Sequence, residues 1–226
     1  MGSLGDIYTK SLLHFDGADA STTFTDESGK TWTNGGDAQI DTAQSVFGGA
    51  SGLFDGNEDY IITSAALADF NMQTAGDWTV DFRIRPTSVA GTHTIAHFHK
   101  TADVRGLHIY SNGTALLVDN GSTASGISAG TIAINTWYHV AVTRQSGTTK
   151  LWLDGTLIDS EAAQDYGDND SYCMIGRYYG GAATGEFAGH VDEFRVSKGI
   201  ARWTANFTPP TRAYGGGGQF IRWSNG

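Results

Sequence analysis

Proline and cysteine are nearly absent: the 226 residues hold 3 Pro and 1 Cys. Glu and Lys are scarce too, at 5 each. These shortages exclude a disulfide scaffold and a proline-rich linker, and they argue against a helical bundle or coiled coil. Unbroken apolar runs reach only a few residues, so no segment reads as a membrane span. The opening Met1-Gly2-Ser3-Leu4-Gly5-Asp6 lacks the apolar core of a secretory signal. No basic stripe is present, and the net charge of -10 repels a phosphate backbone, which argues against nucleic acid as a partner.

What is present is turn chemistry and alternation. The chain holds 31 Gly, 26 Thr, 17 Ser and 19 Asp, a composition suited to many strands joined by tight turns. In Trp78 to Ile84 the residues Trp78, Val80, Phe82 and Ile84 share one face, and Thr79, Asp81 and Arg83 share the other. Similar segments run from Ser11 to Phe15, Ala50 to Phe54, Asp59 to Ser64, His93 to Lys100, Leu107 to Tyr110 and Ala115 to Asp119. Others run from Thr136 to Thr143, Lys150 to Asp154, Leu157 to Ser160, Tyr172 to Tyr178 and Ala188 to Ser197. Asp16-Gly17, Asp55-Gly56 and Asp154-Gly155 mark turns. Ala65 to Asn71 and Ile200 to Trp203 read as short helical turns. About 11 to 14 strands without a long helix predict an all-β fold of two antiparallel sheets packed face to face. No composition break divides residues 7–214, which read as one domain. Residues 215–226 form a glycine-rich linker and a short apolar tail carrying Trp223, which either docks back or contacts a neighbour.

Several groups invite a chemical reading. Alternation with Phe194 and Val196 points Asp192 inward, where a carboxylate needs a cation or several donors. Calcium held together with the loop Thr25 to Gly29 is one reading, and a turn cap at a strand end is the other. Asp165, Asp168 and Asp170 form a second cation site or a solvated loop. His93, His97 and His99 alternate on one strand, but i and i+4 lie about 13 Å apart there, so one zinc ion cannot take all three. Cys173 reads as a small apolar filler. Nucleophile-elbow, phosphate-loop and zinc-protease motifs are missing. Glu186 and Asp192 are the nearest acid pair for glycoside hydrolysis, and Gly and Ala interrupt them. Trp32, Trp152, Tyr178 and Tyr179 are aromatics in polar or out-of-phase settings. They either stack on sugar rings or pack beneath loops.

The ordered motifs Leu12-Leu13-His14-Phe15-Asp16-Gly17, Phe47-Gly48-Gly49-Ala50-Ser51-Gly52-Leu53-Phe54-Asp55-Gly56, Trp137-Tyr138-His139-Val140-Ala141-Val142 and Gly189-His190-Val191-Asp192-Glu193-Phe194 cover much of residues 10–214. Together they resemble the laminin-G-like, concanavalin A-like jelly-roll domains. The ending Gly199 to Pro210 is similar to the variant common in phage tail and virion proteins and in secreted bacterial proteins. The resemblance implies a jelly roll of five to seven strands per sheet and a structural calcium held by Asp26 and Asp192, with Gly29 beside them. Domains of this kind bind glycans, bind proteins or decorate a particle. With the loop aromatics and the missing catalytic motifs, the expectation is a non-catalytic carbohydrate-binding module at a virion surface or outside a bacterial cell, with a glycan or cell-surface polysaccharide as partner. A structural domain for oligomerisation or capsid decoration, and a glycan-degrading enzyme, are the alternatives.

Overall fold

A computed structural model describes residues 6–72, 76–99, 106–121, 126–162, 164, 166, 170–179 and 185–215. It contains fifteen strands and one 3₁₀ turn at Ala68–Phe70, with no helix long and apolar enough to cross a membrane among those residues. The strands are β1 Thr9–Leu13, β2 Trp32–Gly35, β3 Gln39–Asp41, β4 Ser51–Asp55, β5 Tyr60–Thr63, β6 Trp78–Pro86, β7 Thr92–His99 and β8 His108–Asn112. They continue with β9 Ala115–Asp119, β10 Gly126–Ala129, β11 Tyr138–Gln145, β12 Thr148–Leu153, β13 Thr156–Ala162, β14 Tyr172–Ile175 and β15 Ala188–Lys198. All named pairings are antiparallel. One sheet runs β13-β12-β11-β6-β15-β4-β3, with β1 also on β15, and the other runs β10-β9-β8-β7-β14-β5-β2. The chain is thus an all-β, two-sheet jelly-roll sandwich, with eight strands in one sheet rather than the expected maximum of seven.

Alternation builds the core. Val80, Phe82 and Ile84 of β6, Val140 and Val142 of β11, and Leu151 and Leu153 of β12 face inward from one sheet. Ala96 and Phe98 of β7, Ile109 of β8, Leu116 and Val118 of β9, and Cys173 and Ile175 of β14 meet them from the other. At about 25 cal/mol per Å2, this apolar burial is the main stabilising term. Burial also pushes the Cys173 thiol well above its usual pKa, which keeps it a neutral filler.

The outer face of the eight-stranded sheet is covered by residues 199–215, which form a strap and not the expected helical turn at Ile200 to Trp203. Trp203 and Phe207 stack on each other at 4.2 Å and lie edge-on to His139 at 5.4 and 5.7 Å. Phe207 donates its N–H to the Gly155 carbonyl at 2.9 Å. Gly155 sits at φ +78, and a Cβ there would meet the Phe207 carbonyl oxygen at 1.8 Å, so this turn requires glycine. The seven-stranded sheet has no such strap among the described residues, which directs the search for a site to its outer face. The tail 216–226, with Trp223, lies outside the described residues.

Candidate functional site

The expected calcium ligands do not converge. Asp26 is buried on the core side of β1. Its Oδ2 accepts from Ser11 Oγ and from Trp32 Nε1 at 3.0 Å, and its Oδ1 accepts from the Ser28 and Leu12 amides at 2.7 and 3.3 Å. Gly29, at φ +80, closes the same turn by donating to the Asp26 carbonyl at 2.9 Å. Asp192 points the other way. A bulge at Asp192 and Glu193, with Glu193 at φ +52, reverses the alternation, so Val191 and Phe194 both face the core. Asp192 pairs in register with Arg83 on the outer face, and its Oδ2 accepts from the Val46 and Phe47 amides at 2.7 and 3.2 Å. The set Asp26, Gly29 and Asp192 therefore does not fit one ion. Four protein donors already fill the first carboxylate, and the sheet separates it from the second.

A different acidic group is spaced for a divalent cation. Asp37, Asp55 and Asp59 each offer a carboxylate oxygen, all within 4.8 Å of one another. Asp59 is the buried member. It accepts from the Asp55 and Asp37 amides at 2.8 and 2.7 Å, and burial, helped by the Asp55 charge, raises it to about 6. The loop trio suggested by sequence is described only at Asp170, which is exposed; Asp165 and Asp168 lie outside the described residues.

Two of the four expected sugar-stacking aromatics are closed off. Trp32 is 7% exposed and packs edge-on against Phe70 and Phe194 in the core. Trp152 does leave the apolar face of Leu151 and Leu153, as its phase requires. The strap covers it, however: Phe207 lies 5.8 Å away, and Trp152 Nε1 donates to Thr143 Oγ1 at 2.8 Å. Neither ring offers a face to a ligand.

Tyr178 and Tyr179 are placed differently. They follow β14 and fold over the outer face of the seven-stranded sheet, both half-exposed. Tyr178 stacks on His97 with centroids 4.1 Å apart and planes 11° apart, and Tyr179 stacks on His99 at 3.9 Å and 8°. The strand register explains the pattern. His97 and His99 alternate with Ala96 and Phe98, so both point outward, and they face His108 of β8 and Tyr172 of β14, respectively. Tyr172 stacks on His99 at 5.6 Å, and Tyr110 on His108 at 4.2 Å and 7°. Four half-exposed tyrosines are thus each backed by a buried imidazole. Sequence reasoning missed Tyr110 and Tyr172. Their outward phase was readable, but their neighbours are set by register between strands distant in the chain. Among the described residues the histidines form no group of three metal ligands.

A polar line runs beside the tyrosines. His108 Nε2 meets Thr94 Oγ1 at 3.0 Å, and its Nδ1 lies 3.4 Å from Asp119 Oδ1. In the neutral tautomer with the proton on Nδ1, the imidazole donates to Asp119 and accepts from Thr94. The Asp119 carboxylate also receives the Gly121 amide at 2.8 Å and the Tyr110 hydroxyl. Burial would raise Asp119, but these donors outweigh it and hold the carboxyl below its usual range. The same burial, with the Asp119 charge, pushes the Tyr110 hydroxyl up, so it stays protonated as a donor.

The acid pair considered for hydrolysis is split. Glu186 lies by β7, paired with Arg177 at 3.3 Å and bridged to Thr94, whereas Asp192 faces outward from the opposite sheet.

Solved structures of similar fold include toxin binding domains. The binding domain of Paraclostridial Mosquitocidal Protein 1 superposes with a TM-score of 0.64 at 19% identity, over 84% of this chain and 49% of that one. The binding domain of botulinum neurotoxin serotype D gives 0.64 at 15%, over 88% and 49%. Botulinum neurotoxin type C, in a structure described by the dependence of its cell entry on two ganglioside molecules, gives 0.59 at 17%, over 84% and 47%. The chain spans about half the length of these structures, and at such identities the likeness concerns the fold. No curated protein sequence matches. The expected kinship with phage tail proteins does not figure in these likenesses. A sequence-family match extends over residues 55–202, well over half of the 226. On that match, this chain belongs to the concanavalin A-like lectin/glucanases superfamily, of the laminin-G type.

Proposed function

We propose that this chain is a non-catalytic carbohydrate-binding module that holds its ligand on the outer face of the seven-stranded sheet. The observation that carries this reading is the set of Tyr110, Tyr172, Tyr178 and Tyr179, half-exposed and each backed by a buried imidazole. Flat aromatic faces take the apolar faces of sugar rings, and rings held by stacking lose little freedom on binding. The division of Glu186 from Asp192 supports binding without hydrolysis. Binding domains among proteins of the same fold, and the ending Gly199 to Pro210, support a place outside the cell, in a secreted protein or on a virion, facing a cell-surface polysaccharide. Calcium enters this reading only through Asp37, Asp55 and Asp59, which the tyrosine face does not use.

Glycan-array screening followed by calorimetry on the strongest binder tests the proposal. Tyr110→Ala and Tyr179→Ala are each expected to weaken binding roughly 5- to 15-fold, the worth of one aromatic contact of about 1–1.5 kcal/mol. Melting temperatures should stay within a few degrees of the parent. Undiminished binding by both variants would place the ligand elsewhere.

A further inference from the structure

Resting on the carbohydrate reading, we infer that the tyrosine face selects neutral, hydroxyl-donating saccharides and rejects anionic ones, with Asp119 as the specificity-determining residue. Its β8–β9 end presents a fixed acceptor, a carboxylate whose side chain is 17% exposed, held by His108 and the Gly121 amide. Beside it, the Tyr110 hydroxyl donates a hydrogen bond to Asp119 and its oxygen keeps acceptor capacity for a ligand hydroxyl. Both groups accept hydrogen bonds from sugar hydroxyls, and hydrogen bonds to a carboxylate are the stronger kind. Tyr110 supplies the stacking surface next to them, since one face of its ring is covered by His108 and the residue is half-exposed.

Among the described residues, nothing in this part of the sheet offers a counter-charge to an anionic sugar; Lys100 and Arg105, in the connection from β7 to β8, lie outside them. None of β7, β8, β9 and β14 contains Lys or Arg. Arg177, which follows β14, is engaged by Glu186 at 3.3 Å and lies over the Tyr60 ring. The imidazole of His108 is occupied on both nitrogens, by Thr94 and Asp119. A sialic acid, uronate or sulfate group beside Asp119 would meet like charge in a partly desolvated site, and the net charge of -10 adds to the repulsion. Specificity here comes from the repulsive element as much as from the attractive one.

The test uses the full chain on matched glycans: neutral hexose- and N-acetylhexosamine-terminated oligosaccharides beside sialylated, uronate-bearing and sulfated forms of the same backbones. Neutral members are expected to bind, with each anionic counterpart at least about tenfold weaker, as expected for loss of one charge-assisted contact plus repulsion. Asp119→Asn, which adds amide donors and removes the charge, should weaken neutral binding about tenfold and shrink the gap to the anionic forms. Tyr110→Phe, which keeps the ring, guards against a folding defect in the first variant; it should weaken neutral binding while leaving the melting temperature unchanged. Equal or tighter binding of the anionic members overturns the inference and leaves the carbohydrate reading standing. Parental selectivity in Asp119→Asn assigns specificity to other residues and also overturns it. Binding to no member of either class removes the carbohydrate reading, and this inference with it.

Discussion

Replacing Asp81 by Ala is expected to lower the melting temperature by roughly 10 °C, from about 3–5 kcal/mol of lost stability at 2–4 °C per kcal/mol. Asp81 is fully buried on the outer face of β6. It takes a two-pronged pair from Arg195 at 3.0 and 3.1 Å and the Tyr214 hydroxyl, and His139 Nε2 lies 3.7 Å away. Burial alone would raise the carboxyl, but Arg195 and His139 outweigh it and hold Asp81 at about 2. Arg195 in turn lies over the Tyr214 ring at 3.7 Å and the Trp203 ring at 5.8 Å, so this ion pair fastens the strap. Alanine leaves the guanidinium buried and unpaired, which is the costly event. Trypsin should then cut at the exposed Arg212, within the loosened strap. A double variant, Asp81→Leu with Arg195→Met, should recover much of the loss, because it removes both charges together. The folded pKa lies below the ordinary 3.8. The carboxylate's contribution is therefore present above about pH 4 and is lost as pH falls toward 2. A small shift for Asp81→Ala would mean that the strap is held by its aromatic contacts alone.

Asp192→Asn should have the opposite effect and raise stability at pH 8 while flattening its pH dependence. Asp192 is buried, and its Oδ1 has no hydrogen-bond partner among the described residues, while Oδ2 takes the Val46 and Phe47 amides. Burial lifts the carboxyl to about 7, against the pull of the Val46, Phe47 and Glu193 amides. Because this folded pKa lies above the ordinary 3.8, the native state holds the extra proton between about pH 4 and pH 7. Stability therefore falls across that window as pH rises, and levels off above it. The full span corresponds to about 4 kcal/mol at 1.36 kcal/mol per unit. Asparagine keeps an oxygen for the Val46 and Phe47 amides and carries no charge at any of these pH values. Thermal melts at pH 5 and pH 8 decide the matter. If Asp192→Asn is less stable than the parent at pH 8, the charged form has a partner and this account of it fails.

Most of the strand pattern was legible in the sequence because alternation reports burial directly. Ala115 to Asp119 and Trp78 to Ile84 fall on β9 and β6 within two residues. The strands missed, β2, β3 and β10, are three or four residues long, too short for a period of two to show. Asp192 was misread for a specific reason: its phase relative to Phe194 holds only in a regular strand, and the bulge at Glu193 inserts one residue. Trp152 was read correctly as leaving the core face, but its burial depends on Phe207, which is brought over it by a strap some fifty residues later in the chain. The tyrosine face needed the register of β7 against β8 and β14, since Tyr110 and the stretch holding Tyr172, Tyr178 and Tyr179 come from segments some sixty residues apart. Tyr178 and Tyr179 stood out locally, while their imidazole backing did not.

Chemical-shift mapping of the isotope-labelled chain during titration with its best-binding oligosaccharide tests the central claim most directly. The account predicts perturbations gathered at Tyr110, Asp119, Tyr172, Tyr178 and Tyr179, with the strap residues Trp203, Phe207 and Tyr214 unmoved. Shifts gathered on the strap or on the eight-stranded sheet, with the tyrosine face silent, would contradict it.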